Sequence, residues 1–263
     1  MSTMTFPFHF LVSPPQPGPT NMATDLSLLD LADREGVAFL RLYRWAPFCV
    51  SFGRNEPALR RYDPEAIAAR GLDLVRRPTG GRAVWHAREL TYAVAAPISR
   101  FGSMAAAYRM IHELLADAVR MLGAEATLAA APERMERLEG GACFARPAGG
   151  EVLVRGQKVV GSAQLRQGEA FLQHGSLLLE DGQALVSELL RHVGAAGAAA
   201  GAPLSGLVGR TVSFREAAGA VSEAAVQLWG PALPPDSALA DAVRLGADRH
   251  RPLFESDRWT WRR

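Results

Sequence analysis

Segments with the spacing of strands and segments with the spacing of helices follow each other in an irregular order along this chain of 263 residues. Phenylalanines alternate with other residues over 6–10, which indicates a strand, and apolar residues over 22–32 recur at helical spacing. Strands are predicted at 37–45 and 48–52. Because strands and helices do not alternate strictly, the sequence predicts an α+β fold with mixed, antiparallel-rich sheets and flanking helices.

The middle of the chain predicts longer elements. Asn21 is expected to cap the first helix and Gly36 to end it, while Asp63 and Pro64 mark the start of a second helix. A nine-residue strand at 89–97 and a long amphipathic helix at 104–122 follow. Two further helices are expected at 213–228 and 236–245.

The region after residue 151 predicts a meander of three antiparallel strands at 152–155, 158–166 and 170–179. Two-residue turns are expected at Gly156-Gln157 and Gln167-Gly168. A glycine in the first central position suits a type II′ hairpin turn. The sequence therefore predicts that all three strands belong to one sheet.

Composition excludes several classes of function. The formal net charge of +2 is too close to balance to indicate a nucleic-acid partner. Two cysteines do not form a disulfide scaffold, and neither lies in a zinc-like spacing. No run of apolar residues approaches the ~18 of a membrane span, and the N-terminus lacks the pattern of a signal peptide. We therefore expect a cytoplasmic protein without a metal site and without a membrane or nucleic-acid partner.

Lys158 is the only lysine among 29 basic residues. Under a bias toward arginine, a remaining lysine indicates a position that needs a compact ammonium group, although chance explains a single lysine equally well. Strand periodicity places Lys158, Ser162 and Gln164 on one face of their strand, with Gly161 and Ala163 on the other. A solvent-facing edge strand would show the same polar row.

A glycine pair follows the strand predicted at 72–75. Gly80 and Gly81 allow the backbone to approach a ligand closely, and Arg76, Arg77 and Arg82 add positive charge suited to a phosphate or an acidic partner. The alternative is a simple turn with solvated arginines.

Two further candidates are a histidine and a thiol. His174 lies in the segment Gln173-His174-Gly175-Ser176, on the strand expected to lie beside the strand of Lys158. A lone histidine is, however, more often structural. Cys143 lies in a glycine-rich loop, whereas Cys49 lies in an apolar strand and is expected to be inert. A nearby ammonium lowers the pKa of a thiol, so Lys158 could activate Cys143.

Three contiguous motifs carry a family resemblance: 21–32 (NMATDLSLLDLA), 76–94 (RRPTGGRAVWHARELTYAV) and 156–179 (GQKVVGSAQLRQGEAFLQHGSLLL). They resemble the biotin/lipoate A/B protein ligase superfamily over about residues 20–190. Cys143 precedes Lys158 by fifteen residues, as in the cysteine-dependent octanoyl-acyl-carrier-protein:protein N-octanoyltransferase branch. The segment Gly53-Arg54-Asn55 is more similar to the ATP-dependent ligases.

The resemblance implies a catalytic domain over 20–248, with its core at 20–190 and a small helical part at 203–248. Residues 1–19 then form an N-terminal strand and proline-rich loop, and 249–263 a tail.

The same resemblance implies an acyltransferase that moves an octanoyl group from acyl carrier protein to a lipoyl domain or to the glycine-cleavage H protein. Cys143 is the implied nucleophile and Lys158 its activator, and no cofactor is required. The alternatives are an ATP- and Mg-dependent lipoate–protein ligase and a non-catalytic protein that binds the carrier or the lipoyl domain. The carrier is expected to meet Arg76, Arg77 and Arg82. The implied substrate-binding residues are Arg77, Thr79, Gly80, Gly81, Arg82, His86, Gly161, Ser162, Ala163, Gln164, His174 and Gly175.

Overall fold

The structure is a computed structural model, and it describes residues 5–130, 150–191 and 201–262. The strands are β1 (Phe8–Val12), β2 (Phe39–Tyr43), β3 (Cys49–Phe52), β4 (Asp73–Arg76), β5 (Val84–His86), β6 (Glu89–Pro97), β7 (Ala126–Leu128), β8 (Val152–Val154), β9 (Gln157–Lys158), β10 (Val160–Gln167), β11 (Ala170–Leu178) and β12 (Ala232–Leu233). The helices are α1 (Gly18–Glu35), α2 (Ala58–Arg61), α3 (Pro64–Ala69), α4 (Met104–Met121), α5 (Ala184–Glu188), α6 (Leu204–Val208), α7 (Phe214–Trp229), α8 (Ser237–Phe254) and α9 (Asp257–Thr260).

The strands form one large and two small sheets. The large sheet has the order β10-β11-β6-β2-β1-β12, in which β10, β11, β6 and β2 pair antiparallel and β1 pairs parallel with both of its neighbours. The small sheets have the orders β4-β3-β5 and β7-β8-β9. This arrangement confirms the predicted α+β fold with mixed, antiparallel-rich sheets.

Helices cover both faces of the large sheet, and alternation along β6 assigns its side chains to the two sides. Tyr92 and Val94 pack in the core that includes α4 and α7. Ala93 and Ala95 belong to the core formed with α1 and α8. The alanines allow α1 to lie close to the sheet. The candidate site lies on the same side of the large sheet as α1 and α8.

Several helix ends follow the local signals that predict them, but α1 does not. Gly36 ends α1 in the left-handed region at φ 71°, and Asp63 accepts a hydrogen bond from the Glu65 amide at the start of α3. However, α1 begins at Gly18, three residues before Asn21. The side-chain Nδ2 of Asn21 instead donates to the carbonyl of Arg44 at 3.0 Å, so the predicted cap is wrong.

The predicted three-stranded meander is also wrong, because its central strand breaks after Lys158. The Val159 amide donates to Val152 and its carbonyl accepts from Leu178, so this residue joins two sheets. Lys158 consequently belongs to the sheet of β7 and β8, while β10 joins the large sheet.

Both hairpin turns lie one residue away from their predicted positions. The first consists of Arg155 (φ 50°) and Gly156 (φ 73°), since Val154 pairs with Gln157. Two positive φ angles define a type I′ turn rather than type II′. The second turn begins at Gly168 (φ 51°), which is the first central residue between β10 and β11.

Candidate active site

A narrow slot lies between the large sheet and the β4-β3-β5 sheet. Its apolar wall includes Met22, Tyr43, Trp45, Val84 and Ala163. Its remaining lining residues are Ser51, Arg77, His86, Thr91, Gly161, Ser162, His174, Gly175 and Ser176. Six of the predicted substrate-binding residues besides Ala163 therefore meet at one cavity: Arg77, His86, Gly161, Ser162, His174 and Gly175.

The glycine-rich turn at 78–82 is held against the segment that follows β3. A Cβ atom on Gly53 would lie 1.9 Å from the carbonyl oxygen of Gly81, so only glycine fits there. The Arg54 amide donates to the carbonyl of Thr79 at 2.7 Å. Gly81 itself adopts a φ of 94°, which favours glycine.

Arg77 stabilises this turn through hydrogen bonds to its backbone. Its Nη2 donates to the carbonyls of Gly80 and Arg82 at 2.9 and 2.6 Å, and its Nη1 donates to the hydroxyl of Ser51 at 3.1 Å. Because the side chain also lines the slot, Arg77 connects the turn to the cavity wall.

Arg76 is fully buried, and its guanidinium donates to backbone carbonyls, including those of Gly53, Glu56 and Arg262. The expectation that Arg76 meets a carrier protein is therefore wrong, because the side chain is enclosed by the chain's own backbone. Among the three arginines predicted for that role, Arg82 has the most exposed side chain.

A carboxylate on α1 organises the residues around His174, which lines the slot. Asp25 is fully buried and accepts hydrogen bonds from Arg41 (2.8 Å), the Tyr43 hydroxyl (2.9 Å) and His174 Nδ1 (3.0 Å). His174 Nε2 in turn lies 2.6 Å from the hydroxyl of Thr79.

The protonation of His174 follows from this geometry. A carboxylate only accepts, so Nδ1 carries the proton and Nε2 accepts from the Thr79 hydroxyl. Burial lowers the pKa of His174, so the ring is neutral at pH 7. His174 is therefore a link between helix α1 and the glycine-rich turn.

A second hydrogen-bonded histidine, His86, lies closer to the start of β10. His86 Nδ1 donates to Glu89 Oε1 at 2.7 Å, and the Ser51 hydroxyl lies 2.7 Å from His86 Nε2. Trp45 stacks on the His86 ring with centroids 4.1 Å apart, and its indole N–H donates to Thr91 at 2.7 Å. The His86 ring is therefore fixed on three sides.

Lys158 is buried and forms an ion pair with Glu151, whose Oε1 lies 2.5 Å from Nζ. The β8–β9 hairpin positions the lysine, since Lys158 pairs with Leu153 across it. His112 on α4 lies close to this charge. Burial, and then the positive charge of Lys158, lower the pKa of His112 to about 3.

The side chains of β10 divide between two environments as the two-residue period predicts. On the α4 side, the Ser162 hydroxyl oxygen lies within 2.7 Å of both the Tyr92 hydroxyl and His112 Nε2. On the same side, the Gln164 side chain donates to that of Gln173. Ala163 pairs with His174 across the β10–β11 ladder. Gln164 does not line the slot, because its side chain donates to the Met104 carbonyl and to Gln173 instead.

A family comparison decides the assignment of this fold. The model of the Lipoyl protein ligase A/B catalytic domain matches residues 17–225. The chain belongs to that family. The resemblance inferred from the three sequence motifs is thereby confirmed, and the matched range contains both walls of the slot.

Curated relatives of this lipoyl ligase-family chain include proteins named octanoyltransferase LipM. The relative from Geobacillus kaustophilus is 31% identical over 273 residues, which cover 97% of this chain and 98% of that protein. The relative from Kyrpidia tusciae is 44% identical over 155 residues, and the one from Moorella thermoacetica 42% over 156. Those two alignments span only 57% and 56% of the relatives' own lengths.

Solved structures show the same fold. Lipoate-protein ligase A bound with ATP aligns over 97% of this chain and 99% of its own, with a TM-score of 0.77 and 18% identity. A bi-partite lipoate protein ligase from Thermoplasma acidophilum, studied with its E2 lipoyl domain, aligns with a TM-score of 0.72 and 17% identity over 97% of this chain and 96% of its own. At this identity the likeness concerns the fold alone.

The predicted nucleophile of this family member, Cys143, lies outside the described residues. Cys49 is described, and it is fully buried in β3. Burial raises the pKa of its thiol well above the ordinary value, and Asp73 and Glu89 raise it further. Cys49 is therefore a structural thiol, as its apolar surroundings predict.

Sequence reasoning missed the buried partners of the site residues. Asp25, Arg41, Glu89 and Glu151 are all buried and charged, and each contacts a residue of the two histidine networks or the lysine. A charged residue inside an otherwise apolar stripe, as Arg41 is in FLRLY, is the signal that could have identified them.

The described residues contain no group of three His, Cys, Asp or Glu side chains arranged to hold a metal ion. Within the same part of the chain, no helix combines the length and the apolar character needed to cross a bilayer.

Proposed function

We propose that this protein transfers an octanoyl group from octanoyl-acyl carrier protein to a lysine of a lipoyl domain or of the glycine-cleavage H protein. The observation that carries the proposal is the 31% identity, over 98% of its length, to a relative named octanoyltransferase LipM. The buried Lys158, three residues before the slot residue Gly161, supports it, because a positive group near the reacting carbonyl stabilises the charge that develops there.

Cys143 is the proposed acyl acceptor in the first half of the reaction. The sequence holds two cysteines, and burial keeps the thiol of Cys49 protonated. A thiolate is the reactive form, so the role passes to the other cysteine.

The ends of the segment that carries Cys143 support a location near Lys158. Gly150 donates to the carbonyl of Ala129, and Ala129 donates to that of Glu151, both at 2.8 Å. The chain therefore leaves and returns at the β7–β8 strand pair, and Glu151, the ion-pair partner of Lys158, immediately precedes β8. Gly150 lies seven positions after Cys143, so an extended chain spans at most about 25 Å between them.

The proposed reaction has two steps. The Cys143 thiolate attacks the carrier thioester, a new C–S bond forms, and the carrier thiolate leaves with a proton from solvent. The neutral ε-amine of the acceptor lysine then attacks the Cys143 thioester, forms the amide C–N bond, expels the Cys143 thiolate and loses a proton to solvent. Lys158 stabilises the negative charge on the carbonyl oxygen in both steps. A thioester is converted to an amide, so no ATP is consumed.

The slot suits the acyl chain. Met22, Tyr43, Trp45 and Val84 give it an apolar wall, and burial of seven CH₂ and CH₃ groups contributes roughly 5 kcal/mol before ordering costs. Gly161 and Gly175 also line it, and a Cβ atom on Gly175 would lie 2.2 Å from the carbonyl oxygen of Gly161.

Mass spectrometry after incubation with octanoyl-acyl carrier protein tests the proposal. We expect one octanoyl adduct on Cys143 without ATP, retained in Cys49→Ala and lost in Cys143→Ser. Modification of a lipoyl domain that needs ATP and persists in Cys143→Ala would instead establish a ligase. Binding of the carrier without turnover under either condition would leave a non-catalytic protein.

Lys158→Arg is the sharper test of the lysine's role. The variant keeps the positive charge, but it replaces a compact ammonium in a buried site with a larger, planar guanidinium. We expect a fall in the Cys143 acylation rate of about 10²-fold, comparable with loss of an oxyanion donor. Acylation at the native rate in a folded Lys158→Arg protein would refute this role.

A further inference from the structure

Four partly or fully exposed arginines surround the glycine-rich turn, and we call them the arginine rim: Arg54, Arg61, Arg82 and Arg262. Glu56 is buried and lies 3.4 Å from Arg61 and 4.0 Å from Arg82. No carboxylate of the described residues lies within 4.0 Å of Arg54 or Arg262. The rim is therefore strongly positive, although the whole chain carries a net charge of only +2.

The buried side chain of Arg76 holds together the two segments that carry Arg54 and Arg262. Its Nη2 donates to the carbonyl of Arg262 at 3.0 Å, and its Nη1 donates to the carbonyls of Gly53 (2.8 Å) and Arg54 (3.1 Å). The side chain of Arg262 then donates to the carbonyl of Arg54, and its guanidinium lies over the Trp259 ring at 4.2 Å. One buried arginine thus fastens the C-terminal segment to the loop that precedes α2.

The charges of the rim are close enough to repel each other. Burial, and then the charge of Arg54, lower the pKa of Arg262. Burial, and then the charges of Arg262 and Arg77, lower the pKa of Arg76 to about 10 against the opposing effect of Glu56. Like charges held together in this way cost stability, and an anionic partner would relieve that cost.

The rim lies beside the slot. The Arg54 amide bonds to Thr79, the turn residue that contacts His174, and Arg82 belongs to the same turn. A partner that binds the rim is thereby placed next to the cavity that we assign to the acyl chain.

We propose that the arginine rim, and chiefly Arg54 and Arg262, binds the anionic surface of the carrier protein that delivers the acyl thioester. This inference rests on the proposed octanoyltransferase function. The guanidinium groups match a carrier that presents carboxylates and the phosphodiester of its prosthetic arm, because arginine forms paired hydrogen bonds with both groups.

Steady-state kinetics with two donors test this inference. The variant Arg54→Glu/Arg262→Glu is compared with wild type on octanoyl-acyl carrier protein and on octanoyl-pantetheine, which has neither protein nor phosphate. We expect kcat/KM for the carrier to fall at least about tenfold and its dependence on salt to weaken, since charges at the edge of an interface govern association. Activity on octanoyl-pantetheine should stay within about twofold of wild type.

Arg34→Glu is the matched control, because it reverses an exposed arginine at the end of α1 and should leave both donors unaffected. If the double variant melts below wild type, Arg54→Gln alone, whose side chain makes no described hydrogen bond, replaces it and should still raise the KM for the carrier.

Equal losses on both donors, or a raised KM for the lipoyl domain instead of the carrier, would overturn the assignment. Absence of Cys143 acylation by either donor in the wild-type protein would contradict the proposed function itself, which separates the two failures.

Discussion

Replacing Asp25 with asparagine removes the charge at the centre of the network that holds the glycine-rich turn. Asp25 Oδ1 accepts from Arg41, while Oδ2 accepts from both the Tyr43 hydroxyl and His174 Nδ1. An asparagine keeps one acceptor. If that oxygen faces Arg41, the new NH₂ group faces two donors.

The free-energy cost follows from burial. Arg41 and Asp25 have side chains only 1% and 0% exposed, and removal of one partner from such a pair destabilises a protein by about 3–5 kcal/mol. Arg41 also donates to the backbone and side-chain oxygens of Asn21, which favours the lower end. We therefore expect Asp25→Asn to lower the free energy of unfolding by about 3 kcal/mol, or Tm by roughly 6–12 °C.

The same substitution should change the tautomer of His174. With NH₂ opposite Nδ1, the proton moves to Nε2, which then donates to Thr79 rather than accepting from it. Nitrogen-15 NMR of the imidazole reports this change directly, and thermal and urea denaturation report the stability.

Asp30→Asn provides the control on the same helix. Asp30 also accepts two side-chain hydrogen bonds, from His250 and Gln167, but its side chain is 27% exposed. The expected cost is at most about 1 kcal/mol. If Asp25→Asn were as stable as Asp30→Asn and kept the His174 tautomer, the buried network would not be what holds the turn.

Two further predictions follow from buried cationic and neutral side chains. Arg76→Lys cannot reach the carbonyls of Gly53 and Arg262 together, so hydrogen exchange of the C-terminal segment should accelerate at least tenfold while β6 stays protected; unchanged exchange there would contradict the role of Arg76. His112 stays neutral when folded down to about pH 3, whereas an unfolded histidine binds a proton below about 6.5. The free energy of unfolding should therefore fall by up to about 1.4 kcal/mol for each unit by which the pH is lowered between these values. When urea denaturation is repeated across this pH range, the free energy of unfolding of His112→Gln should depend less steeply on pH than that of wild type.

Elements governed by local signals could be predicted from the sequence. The strand Glu89–Pro97 has the predicted bounds, and α4 ends one residue before its predicted end. Ser213 caps α7 through a capping box with Glu216, which is a contact between near neighbours. These features depend on hydrogen bonds within a few residues, so a short window of sequence contains their cause.

The break after Lys158 could not be predicted in this way. Val159 exchanges hydrogen bonds with Val152 on one side and Leu178 on the other, and the apolar pattern of the strand continues through it. Only the position of the second sheet decides that one strand becomes two. Helix α8 similarly extends to Phe254 because it packs along α1, which its own sequence does not encode.

The buried charges show where prediction from one sequence stops. Asp25 lies within the apolar stripe of α1, and an isolated buried carboxylate is too costly to leave unpaired, so the sequence alone requires a partner. It does not name that partner: Arg41 is 16 positions away and His174 is 149. The topology brings them together because β2 and β11 both pair with β6 while α1 covers the same face. A charge in a helical apolar stripe together with a histidine on a central strand therefore predicts a pair, and the order of strands in the sheet decides which pair forms.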